Sequence, residues 1–139
     1  MNAKNFALVG GIVMLVLGAL SLIPAFTGMS FGLPILRIET SYGLFLGVFA
    51  LNIVNKALLI GLGLWGIAAA SDPALSLPRS ITFSRTVCWL TAVFAVLGLF
   101  PQTNTLFGFA PLFGAGIWLH SVMALTSGLF GYSVVRRTV

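Results

Sequence analysis

Long apolar runs, separated by shorter stretches rich in polar residues, glycine and proline, make up most of the chain. A helix needs about 20 apolar residues to cross the ~30 Å hydrocarbon layer of a bilayer. Four runs meet or approach that length: residues 6–26, 51–70, 86–100 and 115–135. The third is short, but the preceding ITFSR adds a turn whose Arg85 reaches the headgroups. The pattern predicts an all-α fold, an integral membrane four-helix bundle in one transmembrane domain over residues 1–139.

Two connecting stretches are too apolar for simple solvated loops. The first, TGMSFGLPILRIETSYGLFLGVFA, is expected to lie against the membrane surface, with Arg37 and Glu39 paired. Its YGLFLGVF segment is predicted to form an interfacial or partly re-entrant helical extension of the second span. The second stretch, PQTNTLFGFAPLFGAG, carries glycine and proline at intervals that oppose a continuous helix, which predicts a packed, irregular cap.

Composition also favours a membrane protein. The chain is 59% hydrophobic and only 6% charged, and its mean hydropathy is +1.12, whereas soluble domains are about 25% charged. No run of basic residues alternates with aromatics as a nucleic-acid surface requires, so nucleic acid is not an expected partner. The single cysteine, Cys88, excludes an internal disulfide and any site built from several thiolates.

The basic residues indicate an orientation. Five lie on the side that both termini share with the middle loop: Lys4, Arg79, Arg85, Arg136 and Arg137. Two, Arg37 and Lys56, lie on the other side. Because short cytoplasmic loops carry the excess of Lys and Arg, both termini are predicted to be cytoplasmic, in a bacterial inner membrane or a thylakoid-type membrane.

The two halves of the chain are similar in sequence. NKALLIGLGLWG, from Asn55, aligns with HSVMALTSGLFG, from His120, which places Gly63 over Gly128 and Gly66 over Gly131. The first helix of each half aligns more weakly, through VLG at 16–18 and 96–98. This predicts an internal repeat of two parallel helical hairpins related by a pseudo-twofold axis along the membrane normal. Chance similarity between helices rich in glycine and leucine is the alternative.

Small residues four positions apart indicate close helix packing, because they let backbones approach where lipid gives no hydrophobic drive for association. The spacing occurs in Ala57 with Gly61, Gly66 with Ala70, and Ala124 with Gly128. The predicted helix-packing residues are Gly61, Gly63, Gly66, Ala124, Gly128 and Gly131.

The segment TLFGFAPLFGAGIWLHSVMAL resembles a bacterial family of four-helix membrane proteins of unknown function. That family reads Leu-Phe-Gly-x-x-Pro-Leu-x-Gly-x-Asp-x-Trp-Leu-His. The matching residues are Leu106, Phe107, Gly108, Pro111, Leu112, Gly114, Trp118, Leu119 and His120. Gly116 stands where the family has an acid, and Asn55 stands where the first half tends to have a histidine. The resemblance implies a four-helix membrane fold and assigns no activity.

The only histidine, His120, near the start of the fourth run, admits three interpretations. It could bond the irregular backbone of the cap, ligate a tetrapyrrole such as chlorophyll or haem, or carry a proton. Its repeat partner Asn55 offers a hydrogen-bond donor and an acceptor but is a poor haem ligand, which favours a polar anchor. Trp118 is expected to anchor the same end at the headgroups.

Lys56 lies about one turn inside the second span, so its stem is expected to snorkel to the interface. A substrate or proton site with Asn52 and Asn55 is the alternative. The only acids, Glu39 and Asp72, lie in predicted loops, which weakens the case for a proton-coupled transporter.

One histidine and two loop acids supply neither a catalytic base with a partner nor a metal site, and no phosphate-binding loop is present. The sequence therefore predicts a protein that is not an enzyme and needs no cofactor. The favoured function is an accessory or structural subunit that packs laterally in a larger membrane complex, with lipid and other integral membrane subunits as partners. The alternative is a pigment- or haem-associated subunit with His120 as axial ligand, and a small-solute carrier or channel ranks third.

Overall fold

Four α-helices account for most of residues 2–133, which are the residues that the computed structural model describes. They are α1 (Ala3–Ser21), α2 (Ile53–Ser71), α3 (Ser76–Gly98) and α4 (Ala115–Tyr132). Two short strands, β1 (Gly43–Phe45) and β2 (Phe49–Leu51), and the 3-10 turns Pro24–Phe26 and Leu106–Gly108 lie between them. The predicted helical architecture is confirmed. The helices α1, α2 and α3 are long and apolar enough to cross a membrane, and α4, over the part that the structure describes, is not among these candidates.

Two helix boundaries differ from the apolar runs. The first helix ends at Ser21 rather than at residue 26, because Pro24 opens a separate turn and the Thr27 hydroxyl bonds the Ser21 carbonyl. The third begins at Ser76, well before residue 86. Pro78 is compatible with this start because a first-turn residue needs no helical N–H partner. The predicted end of the fourth run, at 135, lies outside the described residues.

An aspartate turn fixes the start of α3. The Asp72 carboxylate accepts hydrogen bonds from the backbone N–H groups of Ala74 and Leu75, at 2.9 and 2.6 Å. It also forms an ion pair with Arg79 in the first turn of α3, at 2.7 Å. The chain therefore reverses tightly between α2 and α3, and α3 gains the length that its apolar run lacks.

The helices α1 and α2 pack antiparallel with their backbones in contact. A Cβ atom at Gly63 would lie 2.7 Å from the Gly11 carbonyl oxygen, and one at Gly66 would lie 2.7 Å from that of Ala7. Gly18, further along α1, faces Ile60. At Gly63 and Gly66 no side chain separates the two backbones, which allows close van der Waals contact.

A second antiparallel pair is formed by α3 and α4. Gly131 packs against the backbone of Arg85, and Gly128 lies beside the Cys88 sulfur. Near the other end of α3, Gly98 packs against Ile117. The two pairs meet at one end of the bundle, where the rings of Phe6 and Phe130 stack at 5.1 Å.

The two long loops, residues 22–52 and 99–114, pack together over the opposite end of the bundle, and we call them the cap. Within it, β1 and β2 form an antiparallel hairpin in which Leu44 pairs with Ala50. The turn between the strands has positive φ at both Leu46 (55°) and Gly47 (72°), as a tight hairpin requires. The predicted helical extension at YGLFLGVF is therefore wrong, and this segment is a β-hairpin.

The predicted pair between Arg37 and Glu39 is also wrong. The Glu39 carboxylate accepts a hydrogen bond from the backbone N–H of Leu36 at 3.2 Å, and the Arg37 guanidinium lies over the Phe109 ring. The backbone N–H of Arg37 donates to the Gly108 carbonyl at 2.8 Å. This contact joins the first loop to the second, which makes the cap one unit.

Candidate functional site

Asn52 lies at the centre of the cap and is fully buried. Its side-chain oxygen accepts from the backbone N–H of Val54, which caps the N-terminus of α2. Its amide nitrogen donates to the carbonyl of Ile38 at 2.9 Å and to that of Phe109 at 2.8 Å. One side chain thus links α2 to both loops.

Asn55 extends this network by one turn. Its side-chain oxygen accepts from the Asn52 backbone N–H at 3.0 Å, which completes a capping box, and its nitrogen donates to the Pro111 carbonyl at 3.2 Å. The two asparagines bond the irregular cap backbone that was the predicted partner of His120 and Asn55. Their amide groups are used for structure, which argues against a substrate site here.

Lys56 does not snorkel to the aqueous interface, and that expectation is wrong. Its side chain is fully buried, and its Nζ donates to the backbone carbonyl and the hydroxyl of Ser41, at 2.8 and 2.7 Å. Ser41 has a positive φ of 56°, so the lysine holds a strained turn of the first loop against α2. Ser41 was not singled out from the sequence, because a serine in a loop gives no signal of a buried lysine partner.

Two groups outside the helices have shifted pKa values. Burial raises the pKa of the Tyr42 phenol, and the nearby Glu39 carboxylate raises it further, so the hydroxyl stays protonated and donates to the Pro34 carbonyl at 2.9 Å. The hydrogen bond from the Leu75 N–H is the main cause that lowers the pKa of Asp72, which keeps the carboxylate ionised beside Arg79.

A cavity of about 350 Å³ lies beneath the cap, between the α1–α2 pair and the α3–α4 pair. Residues of all four helices line it, together with β2 and Pro111. Its wall is almost entirely aliphatic or aromatic, and its polar members are Asn55, Thr91, His120 and Thr126. Thr91 and Thr126 were not predicted as site residues, since a threonine in an apolar run gives no sign of the face it occupies.

His120 lies on the cavity wall and its ring packs edge-to-face against Phe94, with 5.4 Å between centroids. Its Nδ1 atom is buried without a hydrogen-bond partner among the described residues. The predicted role of His120 as a hydrogen-bonded anchor of the cap is therefore wrong. A histidine that ligates a metal usually donates its other N–H to an acceptor, and within residues 2–133 Nδ1 has none, so axial ligation lacks its usual support.

The predicted packing residues fall into two groups. Gly63, Gly66, Gly128 and Gly131 lie at contacts between paired helices, whereas Gly61 faces open space, with nothing within 4 Å of a Cβ atom placed there. The expectation that Gly61 packs inside the bundle is wrong. Ala124 is partly buried on α4, and Trp118 is 76% exposed near the start of that helix.

The described residues contain no group of three or more His, Cys, Asp or Glu that could hold a metal ion.

Helices of membrane-spanning length, an apolar surface and a cap whose polar groups bond one another together define a helical membrane protein. Residues 4–133 match the model of the family described as Domain of unknown function (DUF4383), and the chain belongs to that family. No curated protein and no solved structure matches it.

The residues that carried the family resemblance mostly build the cap. Leu106–Gly108 form a 3-10 turn, and Gly108 has a positive φ of 91° where a Cβ atom would meet the Arg37 side chain. The Pro111 carbonyl receives the Asn55 amide, and Gly114, also at positive φ, precedes α4. This stretch therefore shapes the entry to α4 and the roof of the cavity.

Proposed function

We propose that the protein is a non-enzymatic integral membrane subunit that packs laterally against another membrane protein through the outward face of α2. The observation that carries the proposal is the placement of Gly61. It has the four-residue spacing with Ala57 that is typical of helix contacts, yet both residues are exposed on the surface of the bundle.

The contrast with the buried glycines of the same helix supports this assignment. Gly63 and Gly66 bring α2 into backbone contact with α1, so that face of the helix is already occupied. Ala57 and Gly61 leave a second shallow strip on the opposite face, with Leu64 exposed beside it. Lipid chains would cover this strip without specificity, whereas a partner helix gains close van der Waals contact there.

Gly61→Leu is expected to release the partner without unfolding the bundle, because Gly61 is exposed and a Cβ atom placed there has nothing within 4 Å. A photo-reactive phenylalanine at Leu64 should give one discrete cross-linked protein product in the native membrane, and Gly61→Leu should remove it. The same probe at Leu125, an outward residue of α4, is the control and should give lipid adducts only.

Equal protein cross-linking at Leu64 and Leu125 would contradict a specific α2 interface. A product made of two copies of this chain would show self-association instead of an accessory role. Persistence of the Leu64 product in the Gly61→Leu variant would also refute the proposal.

The internal repeat, also a proposal, is supported by the second helix of each pair. Gly63 and Gly66 face α1 as Gly128 and Gly131 face α3, in the order that the alignment predicts. The weaker VLG match has no such support, since Gly18 faces the middle of α2 whereas Gly98 faces Leu112 and the start of α4. The helix-packing glycines therefore carry the similarity between the halves.

We also propose that α4 crosses the membrane. The hydroxyls of Ser121 and Thr126, which lower its apolarity, donate to their own helix at Ile117 (2.7 Å) and Val122 (2.8 Å). A polar group bonded within its helix costs less in lipid than an unpaired one. The antiparallel packing of α4 against α3, from Gly98 to Arg85, also supports a fourth span, because α3 is long and apolar enough to cross a membrane.

The proposed topology places both termini in the cytoplasm. In a Cys88→Ser background, cysteines at Ala74 and Ser133 should react with a membrane-impermeant maleimide from the cytoplasmic side, and one at Gln102 from the opposite side. All three positions are exposed. Labelling of Ala74 and Gln102 from one side would refute a spanning α3, and labelling of Ser133 together with Gln102 would refute a spanning α4. Arg136 and Arg137, which contributed to the predicted orientation, lie outside the described residues.

A further inference from the structure

Different groups line the two ends of the cavity beneath the cap. The stacked rings of Phe6 and Phe130 form its floor, and β2 with Pro111 forms its roof. His120 near the roof and Phe130 at the floor are ten residues apart on α4, which corresponds to about 15 Å along the helix axis. The cavity is therefore long enough for an extended chain that lies parallel to the helices.

One side of the cavity reaches the outer surface of the bundle. Val9 and Val13 of α1 line it, and they are also 52% and 49% exposed. Beyond the Phe6–Phe130 stack, α1 makes few contacts with α4, so the seam between these two helices is the open side. An opening between membrane helices faces lipid, which selects molecules that dissolve in the bilayer.

Two of the four polar residues of the cavity, Asn55 and His120, lie near the cap, and one ring nitrogen is free to bind. The amide of Asn55 is occupied by backbone, and the hydroxyls of Thr91 and Thr126 donate to their own helices. The His120 ring is partly exposed on the wall, and its buried Nδ1 has no partner within the described residues. Because a buried N–H without an acceptor is rare, the ring proton belongs on Nε2, the nitrogen on the accessible edge.

The wall carries no charge among its described residues. A carboxylate or phosphate placed there would lose its hydration without an ion pair, which is strongly unfavourable. The cavity is also apolar along most of its length, so it suits a ligand with a single polar end.

We propose that this cavity binds a neutral, membrane-soluble molecule with a long apolar body and one terminal hydroxyl or carbonyl oxygen, which accepts a hydrogen bond from His120. The apolar body extends from the roof to the Phe6–Phe130 floor, and entry is through the seam between α1 and α4. This site is separate from the outward face of α2, so either proposal stands if the other fails.

The test uses the purified full-length protein in lipid nanodiscs and an alkanol that carries a diazirine in the middle of its chain. Irradiation should label Leu62 and Met123, which line the cavity, and leave the outward residue Leu125 unlabelled. Dodecanol and decylbenzoquinone are the competitors, and dodecane is the control without oxygen. At least one oxygen-bearing competitor should be about tenfold more effective than dodecane, as a lost hydrogen bond predicts. The effective one identifies the ligand end as hydroxyl or carbonyl.

Two variants separate binding from folding. Met123→Trp fills the cavity and should abolish labelling, whereas Leu125→Trp, on the outward face of the same helix, should leave it unchanged. His120→Phe keeps an aromatic ring and removes the donor, so oxygen-bearing competitors should lose their advantage over dodecane. Labelling spread over outward residues, unchanged labelling of Met123→Trp, no advantage of either oxygen-bearing competitor, or a haem or chlorophyll retained by the purified protein would each overturn the proposal.

Discussion

Gly63→Ala is expected to destabilise the bundle severely, although alanine is the better helix former. A methyl group at this position would lie 2.6 Å from the backbone nitrogen of Leu15 and 2.7 Å from the Gly11 carbonyl oxygen. Both are backbone atoms of α1, so the helices must separate along their whole contact. Overpacking of this kind costs ~1–3 kcal/mol, more where the neighbours are rigid, and exceeds the ~1 kcal/mol gained from helix propensity.

Gly61→Ala is the matched control. It lies two residues away on the same helix, and a methyl group there meets nothing within 4 Å. Only the propensity gain remains, so this variant should be as stable as the parent or slightly more stable. The measurement is the free energy of unfolding in mixed micelles titrated with SDS. Equal stability of the two variants would contradict the backbone contact between α1 and α2.

This pair also shows why the sequence could predict glycine contacts but could not assign their faces. In a soluble helix, polar residues mark the outward face, whereas both faces of α2 are apolar because lipid and core have similar polarity. The spacing of Ala57 and Gly61 is as typical of a helix contact as that of Gly66 and Ala70. Which glycine lies inside depends on how α2 is rotated against α1, and sequence spacing does not specify that rotation.

The helices and the irregular second loop were predictable, because apolar length and the spacing of glycine and proline are strong signals, but the hairpin of the first loop was not. Its hairpin turns at Leu46–Gly47, and leucine at the first position gives none of the usual Asn-Gly or Asp-Gly signature. An apolar aromatic segment beside a predicted span was therefore assigned to that helix. The early start of α3 was missed for a similar reason, since Pro78 resembles a loop residue although a first helical turn accepts it.

The candidate site, too, could be predicted only in part from the sequence. Asn52, Asn55 and Lys56 stand out in an apolar chain because polar groups near a span need partners, and those partners were not predictable. Ser41, Ile38 and the second loop are distant in sequence and meet only in the folded cap. The cavity depends on the space between two helix pairs, so the single histidine could be noticed without its surroundings being known.

Of all substitutions in the cap, Asn52→Ala is expected to have the strongest effect. It should prevent both loops from docking stably on the start of α2. The change removes the N-cap of α2, worth about 1 kcal/mol, and leaves the part-buried carbonyls of Ile38 and Phe109 without their donor. An unsatisfied buried group costs ~1–3 kcal/mol, and these part-buried carbonyls are expected at the lower end, so the total loss should be about 3 kcal/mol.

Two comparisons separate the roles of this side chain. Asn2 caps α1 in the same way, through the Asn5 N–H at 2.9 Å, but is exposed and bridges no loops, so Asn2→Ala should cost only the cap. Asn52→Ser keeps a good capping oxygen and removes the amide donors. The stability that this variant loses therefore measures the hydrogen bonds to the two loops alone. Unfolding in SDS measures stability, and proteolysis within residues 22–52 measures cap docking. If Asn52→Ala and Asn2→Ala cost the same, Asn52 acts only as a helix cap, and the two loops are held together by the Arg37–Gly108 contact and the packing around it.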